Sequence, residues 1–121
     1  LSHPPLIAVV DDDEAVRVSL EGLVRSLGYA VRTFGSAETY LESGCAPDCV
    51  VSDVQMPGMS GLDLKEALNT AGTTTPVILI TAFADDAATR ARADALGATC
   101  LLRKPFTADS LIGCLERALA V

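Results

Sequence analysis

Four carboxylates, one hydroxyl and one ammonium are spaced along this chain so that they could act together. Asp11, Asp12 and Asp13 follow the apolar run LIAVV, Asp53 ends the run CVVSD, Thr81 follows PVILI, and Lys104 follows TCLL after one Arg. Two carboxylates roughly 4 Å apart repel by about 4 kcal/mol at an effective dielectric near 20. A crowded set therefore needs cations or takes up protons. A hard divalent ion such as Mg²⁺ suits one or two carboxylates, a carbonyl and waters. With one lysine it would neutralise three acids. A carboxylate nucleophile flanked by cations that absorb developing negative charge is the equipment of phosphoryl transfer.

That chemistry requires the four run ends to share one edge of a sheet. Five short apolar runs recur, at 6–10, 29–34, 49–53, 76–80 and 99–102. Between them lie helical patterns. Val16, Leu20, Leu23, Val24 and Leu27 repeat at helical spacing, and Gly28 can end that helix. Ser36 caps a short helix through Leu41. Ser60 with Asp63 forms a capping box for a helix over 61–70, and Thr107 caps a last helix with Leu111, Ile112, Leu115 and Leu119 on one face. The segment 85–96 has an apolar face of mostly alanine, so its anchorage to a core is weak and it is the helix expected to move. Alternation of strand and helix implies an α/β fold: a flavodoxin-like, doubly wound (βα)5 five-stranded parallel sheet of order 2-1-3-4-5. Strands 1 and 3 are then neighbours, with a crevice at their carboxyl ends.

The totals agree with one domain over residues 1–121. Half the residues are apolar, enough for a core without disulfides or a structural metal, and the formal charge of −7 disfavours direct nucleic-acid binding. The four cysteines, Cys45, Cys49, Cys100 and Cys114, match no zinc spacing and read as free thiols. No signal peptide and no long apolar run is visible, which favours a cytoplasmic protein that does not enter membranes. The chain begins at Leu1 and not at Met, as a piece excised from something longer would.

Each site residue also has a plain reading: a helix cap for the Asp11–Asp13 run, a turn residue for Asp53, strand propensity for Thr81, a solvated tip for Lys104. Their joint placement argues against four coincidences. An aspartyl-phosphate phosphatase is a rival, because Asp11 and Asp13 have the spacing of its two acids, but it leaves Asp53 unexplained. A flavodoxin-like cofactor binder would need a hydroxyl- and glycine-rich loop where this chain has three acids.

The stretches VVDDDE, VVSDVQMPGMSGLDL, PVILITAF and LLRKPF, in this order and spacing, resemble the receiver domain of bacterial two-component response regulators. FGSAETYL looks like the FixJ-type branch, whose members often join a receiver to a C-terminal DNA-binding domain. The resemblance implies a CheY-like signalling module that catalyses only its own phosphorylation and dephosphorylation. It implies Asp53 as phosphoacceptor, taking a phosphoryl group from a sensor histidine kinase. It further implies Mg²⁺, or Mn²⁺ in its place, held by Asp12, by Asp11 through water, by Asp53 and by the Gln55 backbone carbonyl. Lys104 and Thr81 would contact the phosphoryl oxygens, and Asp13 would serve as a helix cap. Implied partners are the kinase, a fused output domain controlling transcription, and a second copy on phosphorylation. A module of a hybrid kinase, a stand-alone receiver or a degenerate receiver that is not phosphorylated are the variants of this reading. Leu101 departs from the pattern: the family usually has Tyr or Phe there, and a Leu offers neither hydroxyl nor ring face for an aromatic switch. Gln55 and Phe83 flank the approach of hydrolytic water, and a bulky Phe83 is expected to lengthen phosphate lifetime.

Overall fold

The computed structural model describes residues 3–82 and 86–120. Strands and helices alternate through five pairs: β1 (Leu6–Val10), α1 (Glu14–Ser26), β2 (Ala30–Phe34), α2 (Ala37–Glu42), β3 (Cys49–Asp53), α3 (Gly61–Thr70), β4 (Val77–Thr81), α4 (Ala87–Leu96), β5 (Cys100–Arg103) and α5 (Ala108–Leu119). All strand pairs are parallel, in the order β2-β1-β3-β4-β5. The fold expected from strand–helix alternation is the fold observed.

Side chains alternate across the pleat, and this divides the core in two. Ala8, Val10, Val50, Val77 and Leu79 face one side, where Tyr40 of α2, Leu64 and Leu68 of α3 and Ala93 of α4 cover them. Ile7, Val9, Val51, Ile78 and Ile80 face the other, under Leu20 and Val24 of α1 and Leu111 and Leu115 of α5. The central strands β3 and β4 are buried throughout, which is why they read as continuous apolar runs and not as alternating patterns.

The helix starts follow the expected caps. Asp13, Ser36, Ser60 and Thr107 each accept a backbone N–H from their own first turn, and Ser60 with Asp63 completes the capping box. The α4 helix begins after Asp86, so residue 85 of the expected segment lies outside the described residues. Only Ala93 of α4 is buried. The helix is held to α3 by polar contacts: Arg92 to Asp63 at 2.9 Å and to Glu66 at 3.6 Å, and the Asn69 side-chain amide donating to the Leu96 carbonyl at 2.9 Å. Arg92, although exposed, is this tether.

One expectation fails. Cys100 and Cys114 are joined as a disulfide between β5 and α5; only Cys45 and Cys49 are free. The pair is 14 positions apart. It is brought together by the turn from β5 into α5, a proximity that spacing along the chain does not reveal.

Candidate functional site

Strand register assembles the site. Val10 pairs with Ser52, so Asp11, one residue on, comes level with Asp53. Thr81 pairs with Arg103, and the Lys104 N–H donates to the Thr81 carbonyl at 2.9 Å. The sequence runs end at these points because backbone pairing gives way to loops there.

Carboxylate oxygens of Asp11, Asp12 and Asp53 all lie within 4.8 Å of one another. Asp11 and Asp53 are buried, with 1% and 5% of their surface exposed, whereas Asp12 is exposed. The Lys104 ammonium sits 3.2 Å from Asp53 Oδ1 and 3.9 Å from Asp11 Oδ2. Those same two oxygens are buried, and among the described residues that ammonium is the one partner they have. Burial pushes the Asp53 carboxyl above the usual carboxylate range and the Asp11 charge adds to this, while Lys104 opposes both. Asp11 is likewise raised, first by burial, with the Asp13 N–H and Lys104 pulling the other way. One ammonium thus leaves the cluster under-compensated. Two buried carboxylate oxygens sharing one ammonium, and an exposed third acid, are a donor set that fits a hard divalent cation.

Asp13 stands apart from this cluster. Its side chain accepts the Val16 N–H at 3.2 Å, and its own N–H donates to Asp11 Oδ1 at 2.9 Å. Thr81 is fully buried and its hydroxyl donates to Gln55 Oε1 at 2.9 Å. Gln55 is exposed, in the loop after Asp53. Leu101 is half-buried and packs against the α2–α3–α4 side of the core. Phe83 lies outside the described residues, and His3 is exposed at the N-terminal fringe.

Three residues that shape the site went unread in the sequence. Gly61 opens α3 directly against Asp53: a Cβ there would collide with the Asp53 carbonyl oxygen and crowd the Val54 Cα at 3.1 Å. The signal was available, because glycine immediately after a helix cap has poor helical propensity and marks close backbone approach. Glu38 of α2 accepts the Met59 N–H at 3.2 Å and so braces the loop after Asp53, beside Gly58 at φ +73°. Arg17 of α1 donates from Nη1 to the Asp11 carbonyl at 2.7 Å, fixing the acidic turn from behind. Neither Glu38 nor Arg17 has a sequence mark that separates it from a solvated charge.

The arrangement can therefore bind a cation and present a buried carboxylate to an electrophile. Comparisons with known proteins place the chain in a family. Residues 7–116 match the family model described as the response regulator receiver domain. The transcriptional regulatory protein TdiR of Thauera aromatica is 40% identical over 117 residues, covering 95% of this chain and 51% of the relative. The transcriptional regulatory protein FixJ of Azorhizobium caulinodans is 41% identical over 115 residues, covering 93% of this chain and 54% of the relative. The chain thus spans about half the length of the curated relatives it matches. Among solved structures, the response regulator StyR superposes with a TM-score of 0.88 at 41% identity, covering 98% of this chain and 60% of that one. FixJ-N superposes at 0.89 with 32% identity, covering 98% and 96%. The chemotaxis protein CheY4 of Vibrio cholerae superposes at 0.88 with 27% identity, covering 97% and 100%. By sequence, by sheet order and by the acids at its carboxyl edge, this chain belongs to the response regulator receiver domain family, a family of signalling domains.

Proposed function

We propose that Asp53 accepts a phosphoryl group from the phosphohistidine of a sensor kinase and that the modified domain switches an output. The observation that carries this reading is the Lys104 ammonium 3.2 Å from a buried Asp53 oxygen that has no other partner among the described residues, with Asp11 and Asp12 alongside. An oxygen of the Asp53 carboxylate attacks phosphorus, the P–N bond to the donor imidazole breaks, and the imidazole leaves. Lys104 moves with the charge, from the carboxylate to the phosphoryl oxygens. Asp12 and Asp53 would hold Mg²⁺ directly, with Asp11 through water and the Gln55 carbonyl completing the protein ligands. When bound, the ion neutralises negative charge on the acids and on the group in transfer.

The phosphoryl group replaces about one negative charge by −1.5 to −2 and adds strong acceptors. Thr81 then exchanges Gln55 Oε1 for a phosphoryl oxygen, which shifts the end of β4. The polar tether of α4 to α3, rather than a deep apolar anchor, makes α4 the element that responds. Leu101 makes this route independent of an aromatic ring on β5. The rival phosphatase reading needs Asp13 as its second acid, and Asp13 is occupied as the cap of α1. The relatives' names and their greater length favour a cytoplasmic transcription regulator in which residues 1–121 are the N-terminal receiver, followed by an output domain. The α4–β5–α5 face would then meet a fused output domain, a second copy or the kinase. Among the described residues, no helix is long and apolar enough to cross a membrane.

Incubation with Mg²⁺ and acetyl phosphate, followed by intact mass, tests the chemistry. The expected result is one added phosphate per chain, lost in Asp53→Ala and lost on chelation of Mg²⁺. Equal labelling of Asp53→Ala would refute the assignment, and many turnovers on a small phosphoester would favour a phosphatase.

A further inference from the structure

Strand β5 and helix α5 are joined by sulfur as well as by hydrocarbon. Cys100 opens β5, and Cys114 lies on the buried face of α5 with Leu111 and Leu115. Their Cα atoms are 6.1 Å apart and the Sγ atoms are bonded. That separation falls inside the roughly 4.4–6.8 Å window in which a disulfide closes without moving the backbone.

The two sulfurs differ in a useful way. Cys100 is half-buried, whereas Cys114 is buried at 6% exposure, so Cys100 is the more accessible residue of the pair. Arg117, three positions after Cys114 on the exposed side of α5, places Nη1 3.5 Å from Cys100 Sγ and also donates to the Thr99 carbonyl at 3.4 Å. A guanidinium against a sulfur stabilises the thiolate, which is the form that attacks a disulfide. Cys49 is the opposite case: fully buried, its thiol is pushed up to about 12 by burial first and by Asp48 second. It stays a thiol at neutral pH and does not compete.

We propose that Cys100 and Cys114 form a reversible thiol–disulfide modification site, oxidised by low-molecular-weight disulfides and reduced by dithiols. The Cys100 thiolate attacks one sulfur of the small disulfide. The small S–S bond breaks, and the departing thiolate takes a proton from water. Cys114, giving its proton to water, then attacks the Cys100 sulfur and expels the second small thiolate. Two protein thiols lose two electrons between them, and one small disulfide becomes two thiols. A dithiol drives the same steps backward. The bond ties to α5 the strand that leads into Lys104, the ammonium of the acidic site. In a compartment kept reducing by thiols, such a pair is switched rather than permanent. This inference rests on the sulfur geometry and is independent of phosphoryl transfer.

The test uses the whole chain, reduced with dithiothreitol, exposed to oxidised glutathione, alkylated and mapped by peptide mass. Cys100 and Cys114 are expected to become protected together, as one cross-linked peptide pair lacking two hydrogens, and to be fully recovered by dithiothreitol without unfolding. Cys114→Ser is expected to stop at a glutathione adduct on Cys100. The proposal is overturned if both cysteines remain alkylatable, if both carry separate adducts with no cross-link, or if the cross-link resists dithiothreitol in the folded protein.

Discussion

Buried carboxylates are tolerated at this sheet edge because their neighbours are fixed by particular residues, and Gly61 is the least replaceable of them. Its missing Cβ lets the first turn of α3 lie on the Asp53 carbonyl. Gly61→Ala is expected to cost about 1–3 kcal/mol, as overpacking against backbone does, read as a lower urea midpoint at unchanged slope. It should also weaken Mg²⁺-dependent phosphorylation by displacing Asp53. Gln55 acts more gently. Its Oε1 accepts from the Thr81 hydroxyl, and Gln55→Leu removes that acceptor at similar volume. One neutral hydrogen bond contributes about 0.5–1.5 kcal/mol, so the fraction phosphorylated at a fixed, subsaturating acetyl phosphate concentration should rise by roughly 2- to 10-fold in its equilibrium ratio. An unchanged ratio would separate Gln55 from the switch. The acids, Thr81 and Lys104 could be found in the sequence because each ends an apolar run with a residue such runs seldom need. Arg17 and Glu38 could not, because a charge that braces a backbone atom and a charge that meets water look alike until the fold places them.

At the scale of the element, α4 is distinguished by how little holds it. With Ala93 as its one buried residue, its position depends on Arg92, Asp63, Glu66 and Asn69. The Asp63 carboxyl is held below its ordinary value of 3.8, first by the Ser60 N–H and then by Arg92. A lowered folded value means the unfolded chain binds the proton more readily. The contribution of Asp63 to stability is therefore complete above its ordinary value and fades as pH falls through the folded one. Asp63→Asn keeps an oxygen for the Ser60 N–H but removes the charge. It is expected to lose a few tenths to about 1 kcal/mol at neutral pH, since the side chain is 43% exposed, and to show a shallower decline of stability in acid than the parent. Equal acid slopes in urea titrations would count against this role. The sequence located every element, but it ended strands four and five one residue early, at Ile80 and Leu102. Apolar runs stop where hydrophobicity stops, whereas the ladder continues through Thr81 and Arg103 because backbone pairing is indifferent to the side chain.

Across the whole molecule, the β2-β1-β3-β4-β5 order is what converts separated acids into one cluster. The parallel sheet was legible from the alternation of periods, its order from the usual topology of five-stranded doubly wound folds, and the cluster followed from that order. The Cys100–Cys114 bond was not legible, because it depends on how one helix docks on one strand. Asp11, Asp12 and Asp53 are crowded around a single ammonium, Lys104, and on the proposed reading a divalent cation would complete them. Burial raises both Asp11 and Asp53, and neighbouring acids add to it (Asp12 and Asp13 at Asp11, Asp11 and Asp12 at Asp53), so the ionised cluster opposes folding in the absence of metal; the opposition sets in as pH rises above their ordinary value of 3.8 and is complete above their folded values. Thermal unfolding at neutral pH, with chelator and with millimolar Mg²⁺, for the parent and for Asp53→Asn, measures this directly. Without metal, Asp53→Asn is expected to melt a few degrees higher than the parent, on the order of 1 kcal/mol. Mg²⁺ should raise the parent markedly and the variant much less. A parent indifferent to Mg²⁺, or a metal-free variant less stable than the parent, would contradict the account.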